Sequence, residues 1–170
     1  MPNHVTNRLS IEGTRERLDA VKAQVAGDEQ PFDLDQIVPM PADTLRGNLS
    51  LDDQRRNPNN WYDWSCANWG TKWNCYDVSV DVDDEGLLVY RFDTAWSPPL
   101  PVLGKLSAMF PDLHFRVEYF DEGWGFAGST SLVNGEAVDE TELECDTENP
   151  EFREMCVTLK GYDPADENEE

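Results

Sequence analysis

The sequence has 170 residues, with Lys+Arg 13 against Asp+Glu 35, so its formal net charge at neutral pH is −22. That balance excludes nonspecific DNA or RNA binding and adhesion to an anionic membrane surface, which run on lysine and arginine, and it favours attraction to basic protein surfaces. The length bounds the chain to one domain, or one with an elaborate insertion, and its Trp 6, Phe 7 and Tyr 5 argue against wholesale disorder.

In chain order, residues 4–12 alternate. Val5, Asn7, Leu9 and Ile11 share one face, and His4, Thr6, Arg8, Ser10 and Glu12 the other, which predicts a half-buried strand. Gly13 ends it, Thr14 caps a helix whose apolar face is Leu18, Val21 and Val25, and Gly27 is the expected stop. Residues 28–75 form an irregular insertion. A short apolar segment (Phe32, Leu34, Ile37, Val38) ends in Pro39-Met40-Pro41, a polar stretch follows, and Trp61, Trp64, Trp69 and Trp73 then cluster within fifteen residues. The Trp spacing predicts a short helix stopped at Gly70 and packed by its rings on the main sheet.

A hairpin is expected over 76–93. Val78, Val80 and Val82 oppose Asp77, Ser79, Asp81 and Asp83, the turn falls at Asp84-Glu85-Gly86, and Leu88, Tyr90 and Phe92 alternate afterwards. Ser97-Pro98 is read as the start of a helix bearing Leu100, Leu103, Leu106, Met109 and Phe110, stopped by Pro111. A strand follows over 113–121, and another arm runs from Trp124 to Val133. Without the insertion the order is βαββαβ, an α+β, ferredoxin-like antiparallel sheet with helices on one face. The expected organisation is a ferredoxin-like domain over 1–134, with its Trp-rich insertion at 28–75, and an acidic C-terminal extension over 135–170. That extension is expected to be a solvated or interaction segment, because more than half of the net charge lies in it.

The N-terminal Met-Pro-Asn with Asn7-Arg8-Leu9, Ile37-Val38-Pro39-Met40-Pro41, Trp61-Tyr62-Asp63-Trp64 with Asn68-Trp69-Gly70-Thr71-Lys72-Trp73, and Thr94-Ala95-Trp96-Ser97-Pro98-Pro99 resemble the YubB-like family. The resemblance covers roughly residues 1–135. It implies a ferredoxin-like fold and an origin on phages, prophages or conjugative plasmids. It implies no established activity, so it supplies no catalytic residues. "Ferredoxin" describes topology only, since Cys66, Cys75, Cys145 and Cys156 lack the spacing of an iron–sulfur set.

No nucleophile motif, P-loop or dinucleotide-binding motif is present, and neither a metal nor a cofactor is expected. Asp81 to Gly86 begins like a calcium loop, but Phe92 stands where the bidentate glutamate belongs, so a hairpin turn is expected there. Two surfaces remain as candidates. One is acidic: Asp77, Asp81, Asp83, Asp84 and Glu85, extended by Glu136, Asp139, Glu140, Glu142 and Glu144. A strand repeats its side chains on one face every ~6.6 Å, so such a row can imitate nucleic-acid phosphates. The other is the polar sheet face, where Arg8, Arg91 and Arg116 with His4 and His114 offer an anion-binding or acid–base site. Cross-strand ion pairing on a solvated sheet gives the same pattern, as does a halophilic proteome for the charge.

The primary reading is an acidic, non-enzymatic interaction protein of a mobile element. As a DNA mimic it would occupy the basic nucleic-acid surface of a host protein, such as a restriction or CRISPR-type complex, as an anti-restriction or anti-CRISPR inhibitor. The alternative is a small ligand-binding or enzymatic module on the polar face. No run of the sequence is long and apolar enough for a membrane span, and the first residues lack a signal peptide's apolar stretch, so a cytoplasmic location is expected.

Overall fold

The computed structural model describes residues 1–166. Strand β1 (His4–Glu12) leads into helix α1 (Arg15–Val25), capped by the Thr14 side chain, which accepts from the Arg17 amide. The insertion holds a 3₁₀ turn (Leu34–Gln36), α2 (Leu51–Arg56) and α3 (Trp61–Asn68). Then come β2 (Tyr76–Asp83), β3 (Leu87–Ala95), α4 (Leu100–Met109), β4 (His114–Asp121), β5 (Ala127–Val133), β6 (Glu136–Leu143) and α5 (Pro150–Lys160).

All six strands join one antiparallel sheet in the order β2-β3-β1-β4-β5-β6. The first four are the ferredoxin-like core, with β1 between β3 and β4; β5 and β6 continue the sheet as a meander beyond β4. The odd positions of β1 and β4 (Leu9, Ile11, Phe115, Val117) pack with Tyr90 and Phe92 of β3 under α1 and α4. Leu18, Val21 and Val25 arrive from α1, and Val102, Leu103 and Leu106 from α4, at the i, i+3, i+4 spacing that puts them on one helical stripe.

The opposite face departs from the one-sided arrangement expected from the pattern. Helix α5 crosses it, burying Phe152, Met155, Cys156 and Leu159 against Phe120 and Ala127 in a second core. Asn149 caps α5 by accepting from the Glu151 and Phe152 amides, Pro150 opens it, and Gly161 closes it at φ 83 while donating to Cys156 and Val157 carbonyls. The domain is therefore three layers. Residues 136–160, expected as a solvated extension, are one strand and one helix of it, so the boundary placed after residue 134 divides a continuous sheet. Glu167 to Glu170 of that extension lie outside the described residues.

Local departures have local causes. Ser97 does not cap α4; its hydroxyl donates to the Gly70 carbonyl at 2.5 Å, and Pro99 precedes the helix. Ala26 rather than Gly27 ends α1. The buried Asn7 amide donates to the Val5 and Phe92 carbonyls and to the Thr94 hydroxyl, which in turn donates to the Ser97 carbonyl. That chain of bonds fixes the 94–97 corner to the sheet. Among the described residues no helix is long and apolar enough to cross a membrane.

Candidate functional site

The expected acidic row is broken at β2. Two register shifts interrupt the β2–β3 ladder, one between Tyr76 and Ser79 and one between Val80 and Val82, so the alternation of Val78, Val80 and Val82 is lost. Asp81 turns toward Arg91, its Oδ2 accepting from Nε at 2.9 Å, whereas Asp83 turns toward α1 and meets Arg15 at 2.6 Å and Lys22 at 2.5 Å. Burial opposes charge on Asp81, but hydrogen bonds from Arg91 and Ser79 still hold its carboxyl below the usual range. Asp84 accepts from the Gly86 and Leu87 amides and so builds the turn rather than a calcium loop. Asp77 sits at φ 50, and Glu85 is exposed at the tip. Nor can the tail extend this row: β2 and β6 are the opposite edges of the sheet, roughly 24 Å apart at ~4.8 Å per strand step.

The β6 edge is different. Glu136, Asp139, Glu140 and Glu142 are exposed and, among the described residues, make no ion pair or side-chain hydrogen bond. A charged edge strand is a device against unwanted strand pairing, and here it also concentrates unneutralised charge. The ladder places Asp139 opposite Ser131 and Thr141 opposite Ser129, on the α5 side, with Glu140 and Glu142 on the α4 side. Glu151 and Glu154 of α5 line a polar groove of about 370 Å³ whose floor is Arg116, Glu118, Ser129 and Thr141. Glu144 follows the strand, its carbonyl accepting from the Asn149 side chain ahead of α5.

The five basic residues of the polar face do not form one site. Arg8 pairs with Glu118 at 3.1 Å. Arg91 reaches across to α5 and donates to the Leu159 and Thr158 carbonyls at 2.8 and 3.1 Å, a cation placed on the negative end of the helix dipole. Arg116 lines the α5 groove with no ion pair among the described residues. His114 pairs opposite Glu12, at the far end of β1 from His4 and roughly 27 Å away, so the two histidines do not approach each other.

His4 has other company. Its Nδ1 is hydrogen-bonded to the Tyr76 hydroxyl, and its amide donates to Glu122 at 2.7 Å. Burial, with Asp93 and Asp77 nearby, pushes the Tyr76 phenol up to about 12. Burial likewise raises the Asp93 carboxyl above its ordinary value, although the Thr6 hydroxyl donates to it at 2.9 Å. A carboxyl raised in the folded state favours folding below its unfolded pKa and loses that contribution as pH rises through the folded value. Asp93→Asn is therefore expected to stabilise the protein modestly at pH 7, an effect reduced by solvent screening. The gain should shrink as pH falls and the Asp93 carboxyl takes up its proton; urea midpoints from neutral to acid pH check it, and a constant difference would contradict the assignment.

The tryptophan block divides between core and surface. Trp69 is buried, its Nε1 donating to the Val38 carbonyl, with Trp64 edge-on at 5.1 Å. Trp73 and Trp96 remain partly exposed, and Lys72 Nζ lies 4.6 Å from both ring centres. Cys66 is exposed, and Cys75 is buried with its thiol pushed up to about 12 by that burial.

The family model described as a ferredoxin-like domain in Api92-like protein matches residues 69–163. It takes in β6 and α5, which the resemblance drawn from the motifs left out, and omits the first 68 residues. Among solved structures, the crystal structure of a protein api92 from Yersinia pseudotuberculosis is similar, at 21% identity and a TM-score of 0.49. The likeness covers 65% of this chain and 39% of that one, so the chain spans well under two thirds of that protein's length. No curated protein matches the chain.

Proposed function

From the membership of this chain in the family of ferredoxin-like domains in Api92-like proteins, we propose an acidic, non-enzymatic interaction protein whose working surface is the β6 edge with the outer face of α5. The observation that carries this reading is the state of the carboxylates. In the β2 hairpin Asp81 and Asp83 are held in internal ion pairs and Asp84 is bound into the turn, whereas Glu136, Asp139, Glu140 and Glu142 on β6 have no ion pair among the described residues. An edge whose unneutralised carboxylates project to both faces of the sheet complements the basic channel of a nucleic-acid-binding protein. We extend the proposal to mimicry of nucleic acid against a host defence complex, of restriction or CRISPR type, and to YubB-like kinship on a mobile element. The support for kinship is the Trp61–Trp73 block and the Thr94–Pro99 corner, which the structure joins through the Ser97–Gly70 bond.

The alternative, a ligand-binding or enzymatic module on the polar face, is weaker. Arg8 and Arg91 are already engaged, and His114 lies at the far end of the sheet.

The test is a pull-down from host lysate at low and high salt, with the immobilised protein and a variant carrying Glu136→Gln, Asp139→Asn, Glu140→Gln and Glu142→Gln. The expected partner is a nucleic-acid-binding protein, released by salt and displaced by duplex DNA, as steered charge pairing requires. The variant should melt at the same temperature and bind at least about tenfold more weakly. A partner indifferent to salt, or held equally by the variant, would end the proposal.

A further inference from the structure

The insertion borders an open cleft of about 360 Å³ between the 3₁₀ turn, α3 and the loop after it. Trp61, Trp69 and Trp73 supply its aromatic lining, and Asp35, Arg46 and Ser65 supply polar groups. The rings are held in place: Trp61 Nε1 donates to the Gly47 carbonyl at 2.7 Å, Trp69 Nε1 donates to Val38, and Lys72 stacks on Trp73. Ser65 is the unusual member. It is 0% exposed on α3, and its Oγ has no hydrogen-bond partner among the described residues. A buried hydroxyl without a partner costs stability, so its placement against a cleft is informative. Among the described residues, Asp35 keeps one carboxylate oxygen for the Met40 amide at 2.7 Å and leaves the other without a bond. Among the same residues, Arg46 donates to the Met40 and Pro41 carbonyls, at 3.4 and 3.3 Å through one nitrogen, and its remaining donors are open.

We infer that this cleft is a binding site for a neutral saccharide ring. Trp69 is buried, and Trp61 and Trp73 are the partly exposed rings that offer apolar surface to the C–H face of a pyranose. A hydroxyl-rich ligand both donates and accepts, and the open groups are one acceptor (Asp35), one fork of donors (Arg46) and one group that does both (Ser65). The volume is at the small end of ligand pockets and fits one or two rings. A phosphorylated ligand is disfavoured, since Asp33 and Asp35 outnumber Arg46 and the chain carries a net −22. A quaternary ammonium is disfavoured by the guanidinium at the same wall.

Saturation-transfer NMR on the full chain tests this with methyl glycosides of glucose, galactose, mannose and N-acetylglucosamine, and with cellobiose and chitobiose. Adenosine and glucose 6-phosphate serve as contrasts. The expected result is transfer to the ring C–H protons of at least one neutral saccharide, lost in Trp73→Ala. Ser65→Ala should weaken binding about five- to tenfold without lowering the melting temperature, because it removes a hydroxyl that is unpartnered in the free protein. Arg46→Ala, made on an exposed side chain, repeats the comparison without touching the packed interior. Transfer to none of the saccharides, transfer unchanged by the three substitutions, or tighter binding of adenosine or glucose 6-phosphate overturns the inference.

Discussion

Phe152→Ala is expected to cost about 3–5 kcal/mol, the range for emptying a buried aromatic site. Phe152 is 0% exposed, stacks on Phe120 at 5.3 Å and 20°, and receives Trp124 edge-on at 5.6 Å. It is the largest side chain that α5 contributes to the second core, and little else on that face is positioned to fill the space. The urea midpoint should fall with the slope preserved, since the mutation changes stability rather than the surface exposed on unfolding. An unchanged midpoint would mean that α5 does not pack on the sheet. The same packing reverses an expectation from the sequence. Removing residues 135 onward would not leave an intact core without its acidic tail, because it strips the α5 cover from Phe120 and Ala127 and the pairing strand from β5. The role of the acidic surface must therefore be tested by neutralising β6 in place.

Trp69→Ala carries an effect of similar size, about 3–5 kcal/mol, on the other side of the sheet. Trp69 joins the insertion to the main core: its ring packs among the buried residues under α4, and its Nε1 satisfies the Val38 carbonyl. The adjoining Gly70, at φ 80, approaches Pro101 so closely that a Cβ there would lie 2.3 Å from the proline ring. Truncation would leave both a void and an unsatisfied carbonyl. Trp69→Phe should recover most of the packing but not the hydrogen bond, and so fall between the two. Denaturant melts followed by fluorescence and by far-UV circular dichroism separate these outcomes. A loss below about 1 kcal/mol for the alanine variant would show that the insertion is not tied to the core.

The elements that were legible in the sequence are those whose period survives in the fold. The alternation of Val5 to Ile11 and of Leu113 to Tyr119, and the helical stripes of α1 and α4, read directly because each has one buried and one polar face. β6 was illegible for a physical reason: as an edge strand with nearly every residue exposed, it has no apolar period to reveal it. α5 was legible but masked by charge. Asn149-Pro150 starts it, and Phe152, Met155, Cys156 and Leu159 stand at i, i+3, i+4 and i+7, yet they lie within a strongly acidic segment. At the candidate sites, residue type showed which groups carry charge but not their partners. Arg91 pointed to an anion, and its partners are two carbonyls and Asp81; nothing in the sequence marked Ser65 as unpartnered.

The position of β1 between β3 and β4 also dictates an order of events. Leu9 faces Tyr90 on one side and Val117 on the other, so β1 has no lateral neighbour until β3 and β4, both far along the chain, are in place. Its closure requires two large loops, both of which contain the tryptophan-rich insertion, and the entropy of closing them comes before any contact repays it. Loop-closure entropy therefore favours the local hairpins β2–β3 and β4–β5 as the first pairs to form, with β1 inserted between them later. In that order Leu9 and Ile11 stay uncovered until β3 and β4 flank them, and apolar strand surface left open for that interval favours aggregation over correct pairing.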